Sequence, residues 1–165
     1  VDGEAILARL QERLGSGLIE THDFRGDHTA VVAREVILDA LGFCRDDAEL
    51  AFDLLVDITA VDYVRFPGRE DGPRFEVVYH LYSTTHNHRV RLKARVEEDD
   101  ARVATACGLW PIANWLEREV WDMFGVRFEG HPDLRRLLLY EEFVGHPLRK
   151  DYPIDRRQPL IGPKV

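Results

Sequence analysis

The stretch Leu109-Trp110-Pro111-Ile112-Ala113-Asn114-Trp115-Leu116-Glu117-Arg118-Glu119-Val120-Trp121-Asp122-Met123-Phe124-Gly125 contains all three tryptophans of the 165-residue chain. Pro111 suits a first helical turn, where its missing N–H would have no partner in any case. Gly125 suits the position just past a helix end, where a left-handed backbone is needed. The residues between them predict one helix of about three to four turns. On its wheel Ile112, Leu116, Val120 and Met123 form an apolar stripe, widened by Ala113 and Phe124. Glu119 falls on the edge of that stripe, so it is expected to be buried and met by an arginine, with Arg127, Arg135 and Arg149 as candidates. Glu117 points to another side, and Arg118 and Asp122 are spaced as an i, i+4 pair on a third.

After this helix comes a short alternating run, Val126-Arg127-Phe128, and then one motif twice: Gly130-His131-Pro132-Asp133-Leu134-Arg135 and Gly145-His146-Pro147-Leu148-Arg149-Lys150-Asp151-Tyr152-Pro153. Each Gly-His-Pro predicts a chain reversal, because the prolines restrict the backbone at and before the turn. The stretch from Gly130 to Pro153 has little helix or strand periodicity, yet it is rich in leucine, phenylalanine and tyrosine. It is expected to be ordered by docking on a partner, with Arg135, Arg136, Arg149, Lys150 and Tyr152 making the contact and little stake in the stability of the free domain.

Upstream, apolar residues at Ile6, Leu7, Leu10 and Leu14 predict an amphipathic helix over Glu4–Leu14, closed by Gly15. Leu18–His22 and Thr29–Ala33 predict short strands around a turn at Asp23–Asp27. Glu35–Leu41, closed by Gly42, predicts a second helix. A meander follows: Asp53–Val64, a loop over Arg65–Pro73, Arg74–Tyr82, a turn over Ser83–Asn87, and His88–Val96. In the last strand Val90, Leu92, Ala94 and Val96 alternate with Arg89, Arg91, Lys93 and Arg95, so the basic set faces away from the core; it is expected to be solvated or paired with Glu76 on the neighbouring strand, with an acidic partner as the alternative. The whole predicts an α+β fold: a mostly antiparallel sheet of four or five strands with helices on one face. A single domain over residues 1–153 is expected, followed by an extended proline- and arginine-rich tail over 154–165.

Composition narrows the function. A net charge of −8 and a pI near 5.4 argue against a nucleic-acid binder. No apolar run approaches the ~20 residues that cross a bilayer. No signal-peptide pattern is visible at the N-terminus, where Val1 stands in place of Met. Cys44 and Cys107 lack the spacing that holds zinc or an iron–sulfur cluster, so two buried reduced thiols are expected. Glu117 and Glu119 project about 200° apart on a helix and cannot share a substrate. His131 and His146, each followed by proline, are expected to order their turns by hydrogen bonding and not to bind metal. His86-Asn87-His88 lies in a hairpin turn without a zinc frame, and Gly15-Ser16-Gly17 is too short for a phosphate loop. Arginine so outnumbers lysine (only Lys93, Lys150 and Lys164) that interface ion pairs are one explanation and a GC-rich genome the other. No catalytic residues are expected. The tryptophan, tyrosine and arginine of the C-terminal third are residue types enriched at interface hot spots, which points to an assembly subunit.

Three blocks carry a resemblance: Leu116–Gly125, Phe128–Arg135 and Gly145–Pro153. Together they are similar to the 30 kDa subunit of respiratory complex I, which is the C subunit of bacterial NADH–quinone oxidoreductase, and to its chloroplast relatives, the J subunits. Phe52–Tyr63 also resembles this family. The resemblance implies a peripheral-arm subunit that binds no cofactor itself, within a complex that carries electrons from NADH through FMN and Fe-S clusters to quinone. It implies packing against the large quinone-site (49 kDa, or D) subunit and neighbouring Fe-S subunits. It places the chain on the cytoplasmic face of the bacterial inner membrane, held there only through the complex. Carried over by position, Glu117, Arg118, Glu119, Asp122, Gly125, His131, Pro132, Arg135, His146, Pro147, Arg149, Lys150, Asp151 and Tyr152 are expected to lock the core or meet a partner. The chain departs from longer relatives by stopping soon after Pro153, which leaves little of the extension that wraps neighbours in some members. The equivalent subunit of a membrane-bound hydrogenase, formate hydrogenlyase or F420H2 dehydrogenase shares the motif and is the alternative. A free-standing hydrolase built on Glu119 and His131 is the alternative of another class.

Overall fold

The computed structural model describes residues 2–162. Helix α1 (Gly3–Leu14) is capped by the Asp2 carboxylate, which accepts from Ala5 N at 2.8 Å, and buries Ile6 and Leu10. Strands β1 (Leu18–Phe24) and β2 (Asp27–Val32) form a hairpin. Its two-residue turn, Arg25-Gly26, has positive φ at both positions, the twist that suits a tight hairpin. Helix α2 (Ile37–Asp46) runs through Gly42 and does not stop there, because Phe43 and Cys44 continue its inward face. Strands β3 (Leu54–Asp62), β4 (Phe75–Ser83) and β5 (His88–Val96) make the expected antiparallel meander.

The sheet order is β1-β2-β5-β4-β3, with β2 and β5 parallel and every other neighbour antiparallel. One parity of each strand packs with the helices: Val77, Tyr79 and Leu81 of β4, and Val90, Leu92, Ala94 and Val96 of β5, join Ile6, Leu41 and Val120 in a continuous apolar core. The opposite face carries no helix. There Glu76 is buried beneath the basic side chains, accepting from Arg69 at 3.0 Å, Lys93 at 3.1 Å and Tyr63 Oη at 2.9 Å. Arg95 adds a longer contact at 3.4 Å and reaches Glu20 at 2.7 Å. The basic strand face is thus largely neutralised within the chain.

The Arg102–Ala104 run forms a strand, β6, which pairs in parallel with β7 (Arg127–Glu129) beside the long helix α3 (Ala113–Phe124). From Gly130 to Gly162 the chain contains no helix or strand. Its anchorage to α3 and the sheet is the feature that positions the candidate site.

Candidate functional site

Helix α3 begins after Ile112, with Pro111 in the preceding turn, and ends at Gly125 with φ +78°. A Cβ on Gly125 would sit 2.6 Å from the His146 ring and 2.8 Å from Arg149 Nη2, so glycine is required there for space as well as conformation. The buried face of α3 is Ala113, Glu117, Val120 and Phe124, while Ile112, Trp115 and Glu119 form an exposed stripe. This corrects the expectation for Glu119, which is exposed and has no arginine partner among the described residues. Two apolar residues, Ile112 and Trp115, point outward and shift the apparent centre of the apolar wheel toward them. Once they are set aside, the stripe turns and, of the two glutamates, Glu117 is the buried one.

Glu117 accepts from Thr105 Oγ1 at 2.5 Å, Ala106 N at 2.6 Å and, more weakly, Cys107 Sγ at 3.6 Å. Burial raises its pKa, against the lowering pull of the first two bonds. His131 donates from Nε2 to Asn114 O at 3.1 Å and accepts at Nδ1 from Asp133 N at 3.0 Å, which makes it the turn-ordering residue expected. Cys44 is buried, but Cys107 is only half-buried.

Asp122 is fully buried and does not pair with Arg118. Its Oδ2 accepts the N–H groups of Leu137, Leu138 and Leu139 at 3.0, 2.8 and 2.9 Å, and its Oδ1 meets Arg136 Nη1 at 2.7 Å. Burial alone would raise the Asp122 pKa; these donors outweigh it, and the net shift is down. Arg118 instead donates to the carbonyls of Arg135 and Arg136 at 3.2 and 3.1 Å. The expected helix-surface pair is absent because both members reach past the helix and tie down the irregular segment that follows. His146 Nδ1 closes the same cluster on Asp122 O at 3.0 Å.

A second anchor fastens the later motif to the sheet. Arg74 makes a two-pronged contact with buried Asp62 at 3.0 and 2.8 Å and also meets Asp151 at 2.7 Å. Lys150 N donates to Asp62 Oδ2 at 2.8 Å. Arg149 lies 5.1 Å over the Phe75 ring and donates to Phe124 O at 2.6 Å. Burial lowers its pKa, and neighbouring Arg74 adds to this. Tyr152 stacks on Phe143 at 6.2 Å and accepts from Gln158. The stretch from Gly130 to Pro153 is therefore ordered within the chain, contrary to the expectation that docking orders it. The periodicity signal misses this because the anchors are buried carboxylates distant in sequence.

The site residues sort into two groups. Arg118, Asp122, His131, His146, Arg149, Asp151 and Tyr152 hold the segment in place, and Glu117, also turned inward, holds the loop after β6. Glu119, Arg135 and the side chain of Lys150 face outward. The same helix and arm carry exposed apolar side chains: Trp115 on α3, and Leu138, Tyr140, Leu148 and Leu160 on the arm, the last fully exposed. An open groove of about 670 Å³ is lined by Tyr140, Glu141, Glu142, Pro159, Leu160 and Ile161.

An α+β domain that clamps a non-repetitive arm to its own core and displays an apolar face is shaped for an assembly. The chain belongs to the family of the respiratory-chain NADH dehydrogenase 30 kDa subunit, whose model matches residues 30–158. It is 45% identical over 156 residues to the C subunit of NADH-quinone oxidoreductase from Geotalea uraniireducens (strain Rf4), covering 93% of this chain and 91% of that one. It is 48% identical over 154 residues to the C subunit of the same enzyme from Roseiflexus castenholzii, covering 93% and 86%. Among solved structures, a trypsin-resistant fragment (1-134) of Nqo5 matches with a TM-score of 0.69 and 34% identity, over 79% of this chain and 98% of that one. A chain of the membrane-bound sulfane sulfur reductase, an archaeal respiratory membrane complex, matches with a TM-score of 0.73 and 29% identity, over 92% and 86%. No helix among the described residues is long and apolar enough to cross a membrane.

Proposed function

We propose that this chain is a structural subunit of the peripheral arm of a proton-translocating NADH–quinone oxidoreductase of the complex I type. It carries no redox cofactor of its own. NADH, FMN, the Fe-S clusters and quinone belong to other parts of the complex. Its role is positional: it packs against the large quinone-site subunit, and against neighbouring Fe-S subunits, and fixes their placement on the cytoplasmic face of the inner membrane. Membrane association comes only through the complex, and no nucleic acid is involved. The two groups of site residues divide the work, with Arg118, Asp122 and Asp151 holding the arm and Glu119, Arg135 and Lys150 on the rim of the partner contact.

The observation that carries this reading is the set of exposed apolar side chains, Trp115 on α3 and Leu138 and Leu148 on an arm that the chain ties down through buried Asp122 and through Arg74. A preorganised apolar patch with a charged rim is the anatomy of a stable interface. The test is to express the tagged chain in its own host, purify it gently from solubilised membranes and identify what accompanies it by mass spectrometry. The reading predicts the large quinone-site subunit and NADH–quinone reductase activity in the same fraction. Recovery of the chain alone would overturn it. The similarity to the sulfane sulfur reductase chain supports a second reading, the equivalent place in another respiratory membrane complex, and a hydrogenase-like large subunit lacking NADH activity would favour that one.

A further inference from the structure

We propose that Cys107, Glu117 and His131 form a binding site for one borderline-soft divalent cation, of which Zn2+ is the representative. The three residues come from separate elements: the loop after β6, the buried face of α3, and the first Gly-His-Pro turn. One ligand atom from each lies within 4.8 Å of the others, the only such mixed group among the described residues. Sequence spacing hides it, because the ligands are ten and fourteen positions apart and share no motif.

Glu117 differs from the other buried carboxylates in the charge of its partners. The other buried carboxylates, Asp62, Glu76 and Asp122, each have an arginine or lysine in contact. Glu117 is equally buried, and the donors it meets are neutral: a hydroxyl, a backbone N–H and a thiol. A buried carboxylate without a cation is unfavourable, and a metal ion supplies the charge directly. A second observation lies beneath the helix. The Tyr79 hydroxyl is fully buried and has no hydrogen-bond partner among the described residues, and Glu117 is the charge that acts on it.

The donor set decides the class of ion. A thiolate, an imidazole and a carboxylate match Zn2+, whereas Mg2+ and Ca2+ take oxygen ligands. Zinc bond lengths of about 2.0–2.3 Å place tetrahedral ligand atoms roughly 3.3–3.8 Å apart, so the ligand atoms close by about 1 Å on binding. His131 already uses both ring nitrogens, and ligation replaces one of those hydrogen bonds. On binding, the Cys107 Sγ–H bond breaks, the Sγ–metal bond forms and the proton leaves to solvent; no electron is transferred. Cys107 and His131 are half-buried and give the ion a route in, with Glu117 behind them.

The test uses the purified full chain. Zn2+ should bind with one-to-one stoichiometry, and X-ray absorption of the zinc-loaded protein should show one sulfur at about 2.3 Å beside nitrogen or oxygen at about 2.0–2.1 Å. Co2+ should give a sulfur-to-metal charge-transfer band. Cys107→Ser should abolish that band and weaken Zn2+ binding at least ten-fold, as should His131→Gln, while His22→Gln on the β1–β2 hairpin should change neither. If a variant fails to fold, the wild-type absorption spectrum and a one-to-one shift of the His131 ring resonances on Zn2+ addition still decide the matter. A zinc shell of nitrogen and oxygen only, or binding untouched by both substitutions, overturns the proposal.

Discussion

Asp122→Ala is the substitution expected to damage this protein most for its size. The carboxylate is the shared acceptor of three consecutive backbone N–H groups and of the Arg136 guanidinium. Removing it breaks a buried ion pair, for which the typical cost is about 3–5 kcal/mol. The three N–H groups lose their acceptor as well, at about 1–3 kcal/mol each if they stay buried. These costs do not add. Residues 137–139 lie near the surface, so the segment can lift and let its N–H groups reach water, which caps the loss near the point where the arm detaches. An overall loss of about 3 kcal/mol or slightly more is expected, a large part of the roughly 5–15 kcal/mol typical of a domain. Urea unfolding followed by circular dichroism reads the stability. Limited trypsin digestion reads the detachment, because Arg135, Arg136 and Arg149 flank the freed segment. A variant within about 1 kcal/mol of wild type and no easier to cut would show that Asp122 does not hold the arm.

Other outcomes follow from the same geometry. Gly125→Ala forces a Cβ against His146 in a left-handed conformation that itself costs about 1–2 kcal/mol, so its thermal midpoint should fall clearly. Arg149→Ala should cost about 1–3 kcal/mol in urea unfolding by baring Phe75 and the Phe124 carbonyl, whereas Lys150→Ala should stay within about 0.5 kcal/mol. Glu76 is pulled down to about 2: burial opposes this, but Arg69, Lys93 and Tyr63 prevail. Its folded pKa lies below the unfolded value of about 4.3, so its stabilisation is complete above about pH 5 and is lost as pH falls toward 2. A pH series of unfolding on wild type and Glu76→Gln should show the acid slope in this window flattened in the variant.

The sheet is largely legible in the sequence because its signals are local. The alternation of Val90, Leu92, Ala94 and Val96 with basic residues sets the face of β5, and the meander follows from strand length and turn residues. The pattern understates helix α2 because Gly42 looks like a stop signal, yet the residues beyond it still have core to cover. Strand β6 escapes it because three residues carry too little pattern. At the site, both histidine turns and Gly125 can be read from type and spacing. The choice between Glu117 and Glu119 cannot, since an apolar stripe on a subunit helix serves two surfaces and the wheel does not say which is the core. The tethering of the arm is invisible for a different reason. Asp62 and Lys150 are 88 positions apart, and no local pattern connects them.

The central claim is that the outward apolar face of α3 and the arm exists for a partner subunit and not for the fold. Trp115→Asp tests it most directly, since Trp115 is about half exposed and points away from the buried face of α3. The free variant should melt close to wild type, within about 1 kcal/mol, the cost of losing the Arg118 guanidinium that lies 5.0 Å over the Trp115 ring. Expressed in the native host in place of the wild-type chain, it should be missing from the large complex on a native gel, and membrane NADH–quinone reductase activity should fall with it. A variant that melts normally and enters the complex at the wild-type level would contradict the account.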